Sequence, residues 1–445
     1  MAQFKKEESE RIYHVAKKVT PGGLMSNYRK SADIPVYFSR GNGARVYDVD
    51  DNEYIDYNMC FGPAILGYNN EVLLQAIEKQ ARKLLCGTTN DLQYIAAQKI
   101  KDHLPSAEMV RFFLSGTDAN VNALRLARAH TGRDRIVRFI GHYHGSQDEL
   151  LGGIPASNVD CQATPGTIAG DLYSEMCQTA GRATHALNST SLIEWNDLEA
   201  FEEFFSAQGE EVAAVLMEPT MTNWYGCLPE PGYLKGVKKI CEKYGALLIF
   251  DEVVTGFRIA PNGAQGVFGV TPDITTLGKG IGGGFPVSAM CASESIMDQI
   301  GQNKVLSGGT FNGHPLCMAS VIATIDELTK DDGANYKKIQ KHGNMLKEGL
   351  DKISQELDQN LLLQGFPGCW FYFFTPKTKT INNKDSLEGL GAGIKKTVRF
   401  GSLLKEKGVI TLFRLYTSAA HTEKEVNETL DRAYDVLKQM KTESF

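Results

Sequence analysis

Residues 246–290 read ALLIFDEVVTGFRIAPNGAQGVFGVTPDITTLGKGIGGGFPVSAM, and this stretch decides the fold. Its first five residues form an unbroken apolar run closed by Asp251 and Glu252. Such a run predicts a buried parallel strand carrying a carboxylate at its C-terminal end. In open α/β sheets that end is where ligands bind. Lys279 follows among Gly278, Gly280, Gly282, Gly283 and Gly284, where the backbone is free and few side chains crowd an amine. The spacing from Gly278 to Gly283 also spells GxGxxG, but the dinucleotide fingerprint must open a helix. Here FPVSAM follows and reads as a strand, so the glycines are a bed for the lysine.

An amine in such a bed and an acid at a strand end together suit pyridoxal 5'-phosphate. The lysine condenses with the aldehyde, and the acid keeps the pyridine nitrogen protonated so that the ring can accept electrons.

Working outward, residues 91–290 alternate helical and strand patterns, which predicts βαβ units and a mostly parallel sheet. Strands are predicted over 109–114, 135–140 and 212–217, and helices over 116–128 and 233–244. Ser115-Gly116-Thr117 falls at a strand-to-helix turn, where backbone N–H groups, the helix dipole and two hydroxyls favour a phosphate. Tyr143, at the end of the next strand, can stack on a flat ring. His142 and His144 flank it, but no third and fourth ligand stand at zinc spacing, so no metal is expected. Upstream lie a helix over 7–19 and an antiparallel meander over 36–58. Residues 145–188, rich in Gly, Ser, Thr and Ala, read as a lid over the site. Downstream, helices over 315–328, 336–353, 398–407 and 423–440 mix with strands over 369–374 and 409–415. The expected units are residues 1–60 (helix and meander), 61–330 (large domain) and 331–445 (small domain).

Composition narrows the function. With 445 residues the chain can bury a large core, and 42% hydrophobic with 22% charged residues is ordinary for a globular protein. A net charge of -6 without basic clusters argues against a nucleic-acid partner. No stretch approaches the roughly 18 apolar residues of a membrane span. The N-terminus does not read as a signal peptide. Nine scattered cysteines without a CxxC suit reduced thiols, so the expected address is the cytoplasm.

Six segments occur in order: SGTDANVNALRLARAHTGRDRIVRF, GHYHG, MEPTMTN, LIFDEVVTGFR, GVTPDITTLGKGIGGGFPVSA and GGTFNGHPL. Together they resemble the class III pyridoxal-phosphate aminotransferases of fold type I, in the branch containing glutamate-1-semialdehyde aminomutase. The resemblance implies an α/β fold: a large, mostly parallel-sheet domain and a smaller α+β domain built from the N-terminal and C-terminal segments. It implies Lys279 as Schiff-base lysine and proton carrier, and Asp251 as partner of the ring nitrogen. Ser115, Gly116 and Thr117 would hold the phosphate, with Thr310 reaching it from the second subunit of a homodimer. Tyr143 and Val253 would cover the two ring faces. Asn223 would bond the ring's phenolic oxygen, supported by Glu218.

Substrate choice is where the chain departs from the aminomutase pattern. Ser26 and Arg29 match that branch's Ser-x-x-Arg, whose arginine takes the substrate carboxylate. Phe61, in CFGP, stands where the aminomutase has a tryptophan. Phe413 stands where it has a glutamate facing the substrate amine, and Arg414 comes next. Two arginines imply carboxylates bound in two orientations, which suits ping-pong transfer from an amino acid, including β-amino acids, to a 2-oxo acid. The alternatives are an intramolecular aminomutase, a racemase or decarboxylase, and a non-catalytic cofactor-binding protein. A need for a second substrate separates the first two, and absence of cofactor absorbance would mark the last.

Overall fold

The chain's two ends build one small sheet, and its middle builds a large one. The computed structural model describes residues 4–29, 34–153, 181–391 and 393–443. A helix, Glu7–Ala16, precedes the expected meander of β1 (Phe38–Asn42), β2 (Arg45–Asp48) and β3 (Glu53–Asp56). The large sheet comprises β4 (Met109–Phe113), β5 (Arg135–Phe139), β6 (Thr190–Ile193), β7 (Val212–Met217), β8 (Leu247–Glu252), β9 (Ile274–Leu277) and β10 (Ser288–Ala292). Its order is β4-β10-β9-β8-β7-β5-β6. Neighbours from β9 across to β6 are parallel, whereas β10 runs antiparallel to both β4 and β9. The glycine bed explains that reversal. Residues Lys279–Gly282 make a single 3-10 turn rather than a helix, so the chain doubles straight back into β10.

Every residue of β7 is buried, and so are five of six in β8, as strands covered on both faces require. Helix Gly116–Thr131 starts at a reciprocal Ser115–Asp118 capping box and ends at left-handed Gly132. Because β4, β5, β7, β8 and β9 share a direction, the segments after them converge on one edge of the sheet. That edge collects Ser115, Tyr143, Glu218, Asp251 and Lys279.

Beyond the large sheet, the helical run Pro315–Glu356 breaks at Lys330–Gly333, where the backbone leaves the helical region. The two helices read from the sequence are its two halves. β11 (Leu361–Phe366), which the sequence reading missed, pairs with β12 (Cys369–Phe374). The expected strand over 409–415 is two short ones, β13 (Val409–Ile410) and β14 (Arg414–Leu415), split by Phe413 at φ +59°. β14 extends the β11–β12 hairpin, and β13 pairs parallel with β3. The meander and the C-terminal segment thus share one body, with Ile55, Tyr57, Phe400 and Val436 in a common core. Most of the segment read as a lid, residues 154–180, lies outside the described residues. Among the described residues no helix is long and apolar enough to cross a membrane.

Candidate active site

Asp251, the last residue but one of β8, is almost fully buried. Its Oδ2 accepts from Asn120 Nδ2 at 2.8 Å and from His144 Nδ1 at 2.7 Å, and its Oδ1 accepts from the Val253 N–H at 3.0 Å. Three donors satisfy a carboxylate that would be costly to bury alone. Asn120 is fixed in turn: its Oδ1 accepts from Thr276 Oγ1 at 2.6 Å, and its Nδ2 also donates to the His144 carbonyl at 2.7 Å. Sequence reading missed Asn120 and weighed His144 only as a metal ligand. The signal for Asn120 was its place one turn beyond the phosphate seat; for His144 it was the strand end it shares with Tyr143.

Asp251 borders a cavity of about 330 Å³, and Lys279 projects into it at the end of a left-handed step, φ +45°. Burial strips the amine of hydration and the Arg414 guanidinium repels its charge, pulling it from 10.5 to about 8. Ser115, Gly116 and Thr117 form one end of the same cavity, and Tyr143 and Val253 line it as well. Gly116 packs closely there: a Cβ would stand 3.0 Å from Val253 Cγ2, so a side chain would have to push Val253 aside.

Glu218 and Asn223 complete the wall. Glu218 accepts four hydrogen bonds, from the N–H of Tyr143 (2.7 Å) and Thr222 (2.7 Å), Thr222 Oγ1 (2.6 Å) and Asn223 Nδ2 (2.8 Å). Burial nevertheless raises its pKa. Burial likewise raises the Tyr143 phenol. His142 Nδ1 accepts from the Glu218 N–H at 2.9 Å, which commits it to the sheet edge. No group of three or more metal-ligating side chains occurs among the described residues.

The substrate residues inferred from the resemblance lie around this cavity rather than in it. Arg414 donates to the Asn223 carbonyl at 3.1 Å and lines an adjoining hollow with Phe371, Leu412 and Phe413; Asn223 borders both spaces. Arg29 ends a short exposed turn, Asn27–Arg29, which half-buried Ser26 precedes. The turn touches the site through Tyr28, whose ring meets Tyr143 edge-on at 5.5 Å, and Arg29 acts electrostatically on Cys60. Phe61 belongs to a left-handed run, φ +46°, +57° and +64° at Met59, Cys60 and Phe61, that delivers Pro63 to the cavity wall. Thr310 is exposed and borders a separate hollow with Asp118 and Phe311.

An anion seat, an aromatic wall, a buried carboxylate and an amine poised near neutrality around one cavity match what pyridoxal 5'-phosphate requires. Comparisons agree. The family model for class III aminotransferases matches residues 27–431. A glutamate-1-semialdehyde 2,1-aminomutase of Desulfitobacterium hafniense (strain Y51) is 36% identical over 449 residues, covering 98% of this chain and 99% of that protein. An omega-transaminase from Sphaerobacter thermophilus superposes with a TM-score of 0.88 at 28% identity, over 97% of each chain. A glutamate-1-semialdehyde aminomutase from Pseudomonas aeruginosa PAO1 does so with 0.83 at 25%, over 97% of this chain and 94% of that one. The chain therefore belongs to the class III aminotransferases, enzymes of fold type I that act on small amino and keto compounds with pyridoxal 5'-phosphate as cofactor.

Proposed function

We propose that this enzyme moves an amino group from an amino acid to a 2-oxo acid in two half-reactions, each restoring what the other consumed. The observation that carries this reading is Arg414. A guanidinium tied to the Asn223 carbonyl, felt by the Lys279 amine and walled by apolar side chains, suits a carboxylate arriving from that side.

When bound, the cofactor's ring withdraws electrons from the substrate Cα. Ser115, Gly116 and Thr117 would hold its phosphate and Asp251 a proton on its ring nitrogen, with His144 and Asn120 fixing Asp251. Tyr143 and Val253 would confine the ring. Asn223, oriented by Glu218, would donate to its hydroxyl oxygen. Lys279 would carry the cofactor and move the proton at Cα, for which an amine near pH 8 is suited. Ser26, Arg29 and Phe61 would border the substrate's entry, with Arg414 taking the 2-oxo acid carboxylate. Thr310 would complete the phosphate seat of a second copy. The uncovered apolar side chains near it, Leu306 (84% exposed) and Phe311 (50%), support such a dimer.

A second reading, an intramolecular amino shift, is favoured by the 36% identity to aminomutases over nearly the whole chain. Multiple turnovers separate the two. A panel of α-, β- and ω-amino acids should give sustained turnover only with 2-oxoglutarate or pyruvate present. Sustained turnover of glutamate-1-semialdehyde alone, with none in the paired assays, would replace transfer by the shift.

A further inference from the structure

Arg258 is 2% exposed and projects from the segment that follows Asp251 and Val253. Among the described residues no carboxylate is paired with it; the ionisable groups acting on it are Tyr416, Cys369 and Tyr336. Its guanidinium instead donates to three backbone carbonyls far apart in sequence: Gly62, Gly368 at 3.2 Å and Thr417 at 3.4 Å. It also lies over the Tyr416 ring, 4.9 Å from the centroid. The root of the side chain is fixed too. Phe257 is left-handed at φ +54°, and its carbonyl accepts from Tyr336 OH at 3.0 Å. A buried guanidinium without a counter-charge is expensive, and a planar fork of donors can satisfy several carbonyls at once where an ammonium cannot.

Two of the three carbonyls, those of Gly62 and Thr417, have functional neighbours. Gly62 ends the left-handed run through Phe61 and precedes Pro63 on the cavity wall. Thr417 follows β14, which begins with Arg414. We propose that Arg258 is a positioning residue that sets the spacing between the Phe61–Pro63 loop and the Arg414 strand, and thereby the affinity for substrate carboxylates. The inference rests on the reading of Arg414 as a carboxylate receptor.

The test uses the cofactor-loaded enzyme with glutarate as probe, its equilibrium binding read from the cofactor's absorbance. Arg258→Lys keeps the charge but loses the fork. It should weaken glutarate binding about 10- to 100-fold, the scale of an ångström of misplacement, while cofactor affinity and absorbance maximum stay within twofold. Gly62→Ala approaches the same junction from the other side, straining φ +103° while keeping the guanidinium, with its added Cβ in ordinary contact with the Tyr416 ring at 3.5 Å and Arg258 Nη2 at 3.7 Å, and should show the same selective loss. Unchanged glutarate affinity in both variants, or cofactor affinity falling in parallel, overturns the inference. Arg414→Ala measured alongside locates the failure: if it too leaves glutarate binding unchanged, the Arg414 reading is what fails.

Discussion

The roles proposed for Asp251, Lys279 and Arg414 depend on one another. Asp251 is pinned by His144 and Asn120, so His144→Ala should remove one of the two donors to its Oδ2. The expected result is a loss in kcat of about 10- to 100-fold, with a displaced absorbance maximum of the bound cofactor; an unchanged spectrum would dissociate His144 from Asp251's role. The Lys279 amine is the second residue-scale prediction. Its folded value of about 8 lies below the ordinary 10.5, so its neutral fraction rises as pH passes through 8. In cofactor-free enzyme, reaction of this amine with a small aldehyde should show a midpoint near 8, moving upward in Arg414→Ala as the repulsion is removed. That Lys279 and Asp251 border one cavity was legible because each stands next to a sequence feature that advertises it, a glycine bed and a strand end. His144 was not, because its partner lies 107 residues away and only the sheet brings them together.

At the scale of elements, the proposed phosphate seat depends on how closely helix Gly116–Thr131 approaches the turn after β8. Gly116→Ala would press a methyl against Val253, 3.0 Å from Cγ2 and 3.1 Å from Cγ1. Overpacking of this kind costs about 1–3 kcal/mol. Since it acts at the proposed phosphate seat, cofactor affinity should fall about tenfold and recover in Gly116→Ala/Val253→Ala. Equal affinity in the single variant and wild type would place the phosphate elsewhere. Strands and helices with clean periods were read directly, β7 and helices Tyr233–Tyr244 and Glu423–Met440 to the residue. The β13–β14 segment was not, because Phe413 is left-handed without being glycine, a conformation imposed by tertiary contacts such as the Tyr372 N–H donating to the Phe413 carbonyl at 3.2 Å.

At the scale of the molecule, the two chain ends are joined by Arg45 of β2. It pairs with Glu425 at 3.0 Å and Glu428 at 2.9 Å on the last helix, and with Glu53 at 2.6 Å. The side chains of Arg45 and Glu425 are only 15% and 12% exposed, so this cluster is worth more than a surface pair; discounted for its open side, Arg45→Ala should cost about 1–2 kcal/mol. Burial raises the Glu425 pKa, but hydrogen bonds from Thr422 and Arg45 outweigh it and leave the folded value below 4.5. The stability difference between wild type and variant should therefore be full above pH 4.5 and shrink as pH falls below it. A difference constant through that range in thermal melts would assign the effect to packing alone. Sheet composition across the chain ends, like the antiparallel β10, could not be read from periodicity, which carries no strand direction or pairing. The account as a whole stands on one cavity gathering the Ser115–Thr117 turn, Asp251 and Lys279 around the cofactor. Borohydride reduction of the loaded enzyme followed by peptide mapping decides the point: cofactor should be fixed to Lys279 and to no other lysine, whereas a label on a different lysine, or none on Lys279, would place the cofactor outside this cavity.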